Sequence, residues 1–228
     1  MYRKALTGGR CSHTVASGIV TLLMLVLWGC GQDGQPPARS QRPPGPYRYE
    51  AQFSKLALRG WELFPRQRWS VHENVLTVMG GEDPSAVTSG YPGGMETVGD
   101  VKVDVHTRWQ EGATTSAYGV VCRWTNQGNY RFVINAGGSF AVLREGGVRE
   151  MPPVRYLHDW TPHEAVRLKG ENRLRTVFEG PRLTFTINAT PVATVEDTTF
   201  SQGVVGLTVE GSQRVDFTSF IVEELPNR

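Results

Sequence analysis

The sequence predicts an all-β protein built as two packed antiparallel sheets, and three observations carry that prediction. From Tyr47 onward, short runs rich in Val, Ile, Phe, Tyr and Thr alternate with Gly, Pro and Asn turn residues. Within several runs apolar and polar residues alternate with period two, the mark of a strand with one face buried. No comparable stretch repeats its apolar residues at helical spacing. Ten or so such runs in about 180 residues are more than one sheet accommodates, which favours a sandwich.

Taken in order, the first clear strand is Asn74 to Val78, following Trp69-Ser-Val. Val101, Val103, Val105, Thr107 and Trp109 alternate with Lys102, Asp104, His106 and Arg108, giving one buried and one polar face. Tyr118 to Trp124, Tyr130 to Ile134 and Phe140 to Arg144 follow, with turns at Asn126-Gln-Gly-Asn129 and Gly137-Gly138; three successive antiparallel strands are expected there. Ala165 to Lys169, Leu174 to Phe178 and Leu183 to Ile187 continue the series, the last pair punctuated by Gly180-Pro181. Val204 to Val209 and Val215 to Val222 complete it. Helix is limited to one turn near Gln52 to Leu58.

The N-terminal stretch has a different character. Met1 to Arg10 is a short basic region and Val15 to Trp28 an apolar run of 14 residues. That length suits a signal peptide and falls short of the roughly 20 residues of a membrane-spanning helix. Leu27-Trp28-Gly29-Cys30 resembles a bacterial lipobox, with small Gly29 before the cysteine and Trp28 its one unusual residue. The resemblance implies cleavage before Cys30 and lipidation of Cys30, whose several acyl chains would give stable membrane attachment. An uncleaved N-terminal anchor is the alternative. Gly31 stands where an aspartate would signal inner-membrane retention, so the implied destination is the outer membrane if the organism has one. Gln32 to Pro46 is Gln-, Pro-, Gly- and Arg-rich and is expected to be a polyproline-like or disordered spacer, reaching roughly 45 Å at about 3.1 Å per residue. The expected organisation is therefore a signal peptide over 1–29, a lipidated cysteine and linker over 30–46, and a β-sandwich domain over 47–228.

The formal net charge of +2 includes the leader. Removing Arg3, Lys4 and Arg10 leaves 21 basic against 22 acidic residues from Cys30 onward, a charge of −1. Such a domain lacks the electrostatic footprint of a nucleic-acid binder. Of three cysteines, only Cys122 belongs to the domain beyond the lipid-bearing residue, and one thiol makes neither an internal disulfide nor a zinc site. It reads as a buried, inert thiol.

The C-terminal half carries a recognisable texture in Tyr118-Gly-Val-Val-Cys-Arg123, Asn129-Tyr-Arg-Phe-Val-Ile134, Phe140-Ala-Val-Leu-Arg144 and Glu171-Asn-Arg-Leu-Arg175. Gly180-Pro-Arg-Leu-Thr-Phe-Thr-Ile-Asn188, the stretch Asp197 to Leu207, Val215-Asp-Phe217 and Phe220-Ile-Val222 extend it. Together these resemble the concanavalin A-like lectin/glucanase sandwich in its bacterial laminin-G-like form, related to 3-keto-disaccharide hydrolase-like domains. The likeness covers Tyr47 to the end and is strongest from Asp100 to Val222. It implies a jelly roll with a ligand site on one sheet face or in edge loops. Two departures stand out. Ala189 follows Asn188 where such domains usually have glycine, so this hairpin is expected to form differently. Cys122 lacks the second cysteine that many relatives have near the position of Phe178.

The candidate ligand surface combines the polar sides of neighbouring strands: Asp104, His106, Arg108, Arg123, Arg131 and Asn135, with Trp124 and Tyr130 close in sequence. Aromatic faces would meet apolar sugar faces, and arginines and carboxylates would meet hydroxyls. The alternative is an ordinary solvated face with cross-strand ion pairs, such as Asp104 with Arg123 or Arg131. The Glu-x-Asp-x-x-Glu pattern of retaining glucanases is absent, which weakens an enzymatic reading, and no catalytic residue is assigned. His158, Asp159 and His163 form the densest His/Asp cluster, but their spacing alone specifies no metal site. No cofactor is expected, although calcium in an edge loop through Asp83 or Asp197 is conceivable. The expected partners are the membrane, through lipid on Cys30, and a glycan or an envelope protein. The expected function is non-catalytic recognition in the envelope; a glycoside hydrolase of the 3-keto-disaccharide type and a structural or adhesive lipoprotein are the alternatives.

Overall fold

A computed structural model describes residues 46–54, 57–83, 86–95, 97–146 and 153–226. The lipobox, Cys30 and the linker up to residue 45 lie outside the described residues. Fifteen strands follow one another along the described residues. They are β1 (Arg48–Glu50), β2 (Trp61–Phe64), β3 (Trp69–His72), β4 (Val75–Met79), β5 (Val87–Pro92), β6 (Val101–Gly112) and β7 (Tyr118–Thr125). Then come β8 (Gly128–Ile134), β9 (Ser139–Gly146), β10 (Val154–Pro162), β11 (Asn172–Glu179), β12 (Arg182–Ile187), β13 (Thr190–Glu196), β14 (Val204–Glu210) and β15 (Gln213–Glu224). Two short 3-10 turns, Ala57–Gly60 and Arg66–Arg68, are the helical content of the described residues.

The strands form two antiparallel sheets. One runs β13-β12-β11-β6-β15-β4-β3, with β1 added beside β15; the other runs β10-β9-β8-β7-β14-β5-β2. The long β15 is flanked by β6 on one side, while β4 and β1 share the other. Between the sheets lies a single large core. Val101, Val103 and Val105 of β6 and Leu183, Phe185 and Ile187 of β12 are fully buried in it, as their alternation predicts. From the opposing sheet come Tyr118, Val120 and Cys122 of β7 and Tyr130, Phe132 and Ile134 of β8. The Phe132 and Phe185 rings, 4.8 Å apart, join the two sheets at the centre. Cys122 is buried there beside Thr176, and burial pushes its thiol up to about 12.

Two expectations fail locally. Ala165 to Lys169 is a loop and not a strand, because the buried Asn172 side chain takes over the main chain of Arg167, accepting from its N–H at 2.9 Å and donating to its carbonyl at 2.9 Å. A side-chain amide thus occupies the hydrogen bonds a neighbouring strand would have made. The β12–β13 hairpin, in turn, does not need a different geometry. Asn188 and Ala189 have φ of 49° and 70°, both left-handed, as a two-residue type I′ turn requires. Alanine adopts the conformation that glycine usually supplies, while Asn188 holds the turn by accepting from Arg173 N–H and donating to Asn172 and the Ala165 carbonyl.

Candidate functional site

The outer face of the seven-stranded sheet carries the candidate site. Its floor is apolar: Val121, Val133, Ala141 and Leu143 point away from the core and are buried all the same. Trp160 of β10 packs against part of this floor. Two adjoining cavities lie over it, of about 360 and 370 Å³, and both are lined by Val87, Arg131 and Glu145. Phe64, Tyr91 and Trp124 cluster at one end, with the Trp124 ring 5.1 Å from Tyr91 and 6.4 Å from Phe64. Val154 and Tyr156 of β10 line the other end.

Between the two cavities stands a polar network. Arg131 donates from Nη1 to Glu210 at 2.6 Å, from Nη2 to Glu145, and from Nε to Asn129 at 3.4 Å. Asn129 in turn donates to Glu145 at 3.0 Å. Strand alternation dictates this placement: Tyr130 and Phe132 point into the core, so Asn129, Arg131 and Val133 point out.

The eight residues expected to form one ligand surface divide between two sheets. Asp104, His106 and Arg108 lie on β6, in the sheet across the core from Arg131. The suggested pairing of Asp104 with Arg123 or Arg131 is replaced by another. Arg173 and Arg175 of β11 grip Asp104 at 2.6–2.9 Å, and His106 lies 2.9 Å from Glu171. Burial disfavours the charged form of Asp104, but the two guanidiniums outweigh it and hold the carboxyl below its usual range.

Arg123 is 1% exposed and cannot face a ligand. It donates to the carbonyls of Gly99, Gly180 and Phe200, and lies 5.2 Å over the Phe178 ring. The reason is a bulge. Arg123 has φ of 49°, and the pairing of β7 with β8 shifts register between Cys122 and Thr125. An extra residue reverses the alternation beyond it, so Arg123 turns inward and Trp124 outward to the groove.

Tyr130 is buried too. Its hydroxyl donates to Asp197 at 2.6 Å and accepts from Phe200 N–H at 3.0 Å; burial first, then the Asp197 carboxylate, push it up to about 12. Asn135 closes the β8–β9 turn by accepting from Ser139 N–H. Of the eight, Trp124 and Arg131 line the groove.

Asp197 spends its oxygens on Tyr130, Thr199 N–H and Arg144, a cationic setting unsuited to calcium. His158 and His163 pack on the Phe140 ring at 4.7 and 5.9 Å. Among the described residues, no group of three His, Cys, Asp or Glu is arranged to hold a metal.

Sequence reasoning missed Phe64, Tyr91, Glu145, Tyr156 and Glu210. A signal was present in Tyr118-Gly-Val-Val-Cys122 and Phe140-Ala-Val-Leu143. These runs are apolar on both faces, which an outer face open to water does not call for.

With this geometry in place, known proteins give a consistent picture. No family model and no curated protein matches the chain. Among solved structures, the carbohydrate-binding module CBM66 from Bacillus subtilis superposes with a TM-score of 0.59 at 15% identity, over 72% of this chain and 96% of that one. The laminarinase catalytic domain from Thermotoga maritima MSB8 gives 0.58 at 8% identity, over 78% and 98%. A Crh5 transglycosylase in complex with NAG gives 0.54 at 14% identity, over 79% and 85%. The fold is thus an all-β, two-sheet jelly-roll sandwich of the concanavalin A-like kind.

Proposed function

We propose that this is a lipid-anchored cell-envelope protein whose sandwich recognises glycan in the groove on its seven-stranded sheet, without turning it over. One observation carries the binding reading. Of the six large apolar side chains that the described residues expose, Phe64, Val87, Val154 and Tyr156 line the two adjoining cavities. Exposed apolar groups gathered beside hydrogen-bonding side chains form the surface a sugar ring requires. The glycan-related activities of proteins with similar folds support the same reading. Trp124→Ala and Phe64→Ala should each weaken binding to whichever glycan an array identifies by about 10-fold or more with the fold intact, since loss of a stacking face costs on the order of 1–2 kcal/mol. Unchanged binding in both variants rejects the groove.

Glycoside hydrolysis is the second reading, favoured by the convergence of Glu145 and Glu210 on Arg131. A hydrolase acid needs a desolvated carboxyl without a counter-charge, whereas both of these are ion-paired. Product release monitored in the same array decides between the two, and turnover abolished by Glu145→Gln or Glu210→Gln would establish the enzyme. Anchoring rests on the lipobox and is tested separately. Cys30→Ser should abolish incorporation of labelled fatty acid, and retained label refutes the anchor.

A further inference from the structure

The network at the centre of the groove bears on which glycans it takes, an inference that rests on the glycan reading above. Among the described residues, the charged ones lining the two cavities are Arg131, Glu145 and Glu210. The guanidinium is already paired: three of its five N–H donors, on Nε, Nη1 and Nη2, go to Asn129, Glu210 and Glu145 respectively. It is also the deepest of the three, with its side chain 12% exposed against 34% for Glu145 and 26% for Glu210. A ligand over this ridge therefore meets two carboxylates before it meets Arg131 beneath them. Among the described residues, Glu145 Oε1 and Glu210 Oε2 take no hydrogen bond, because the contacts of these residues are made through Glu145 Oε2 and Glu210 Oε1. One acceptor oxygen on each side of the ridge is thus open to a donor from the ligand.

We infer that the groove selects uncharged glycans over acidic ones, and that Glu145 and Glu210 enforce the choice by neutralising Arg131 and facing the ligand themselves. Sugar hydroxyls donate to the open carboxylate oxygens while ring faces rest on the aromatic ends. A uronate or other carboxylated sugar brings a like charge against Glu145 and Glu210, while the guanidinium beneath them already carries both of those carboxylates. This is discrimination by repulsion more than by added attraction. A free arginine would reverse it, since a guanidinium fork is the best partner a sugar carboxylate can find.

The test uses the full chain and matched probes: linear glucan and mannan oligosaccharides, and the same oligosaccharides with primary hydroxyls oxidised to carboxylates. The neutral member of a pair should bind at least ~10-fold more tightly than its oxidised counterpart at low salt, with the gap narrowing as salt screens the repulsion. The double variant E145Q/E210Q, with its fold verified by circular dichroism, removes both repelling charges and releases Arg131. It should lose the discrimination and gain affinity for the oxidised probes. Equal or tighter binding of oxidised probes by the native protein overturns the inference, and so does a folded double variant that still discriminates. Binding of neither member of any pair overturns the glycan reading itself, and charge selection with it.

Discussion

Arg123 shows how much of this domain depends on one side chain. Its guanidinium gathers the carbonyls of Gly99, Gly180 and Phe200 from three separate connections, and Asp100 lies 3.5 Å away. Burial lowers its pKa, yet an arginine starts high enough to stay charged, and three carbonyl dipoles and an aromatic face replace the water it gives up. Gly203 completes the arrangement: a Cβ there would lie 2.3 Å from the Arg123 carbonyl carbon, so only glycine lets the two backbones approach. Arg123→Met keeps the packing of the stem and orphans the carbonyls. It should lower unfolding free energy by roughly 3–5 kcal/mol, measured by urea denaturation. A loss below about 1 kcal/mol would mean that water replaces the guanidinium without cost.

At the scale of elements, the β12–β13 hairpin offers a cleaner probe. Ala189 holds φ of 70° with a Cβ that clashes there, a strain of roughly 1 kcal/mol. Ala189→Gly should therefore stabilise the protein by about 0.5–1 kcal/mol, less whatever glycine adds to the entropy of the unfolded chain. A higher urea midpoint with unchanged slope is the expected signature.

The same scale explains what the sequence could disclose. β6, β11, β12 and β15 were legible because each buries one face and wets the other. β2, β5, β10 and β13 were not. They carry Gly, Pro or broken alternation, and β10 pairs with β9 through two register shifts, an irregularity that a sheet edge tolerates. The candidate site suffered most from this. Two of its aromatic groups, Phe64 and Tyr156, sit on edge strands, and the Arg123 bulge exchanged the expected directions of Arg123 and Trp124. Arg131 and Trp124 were reached, but the carboxylates that partner Arg131 come from β9 and β14, and no local pattern announces such a meeting.

For the molecule as a whole, ion pairs on both sheets tie stability to pH. Burial opposes the charged forms of Asp104, Asp197 and Glu171, but donors outweigh it: Arg173 and Arg175 for the first, Tyr130, Thr199 and Arg144 for the second, Thr218 and His106 for the third. Glu223, bonded by Lys102 and Arg48, is lowered as well. All four carboxyls thus titrate lower in the folded than in the unfolded chain. The stability they contribute is present above the unfolded values, near pH 4, and is lost as pH falls through the folded ones. The urea midpoint should hold between about pH 7 and 5 and decline below about pH 4, and Asp104→Asn should flatten part of that decline. An unchanged profile in that variant would remove Asp104 from the account.

Arg48 pairs with Glu223, and the Glu224 N–H donates to the Tyr47 carbonyl, so the described chain starts and finishes on neighbouring strands of the eight-stranded sheet. The groove opens from the other sheet. A sensor surface that holds the domain directly at Tyr47 or Glu224 would therefore grip the sheet opposite the groove and present the groove to the passing solution.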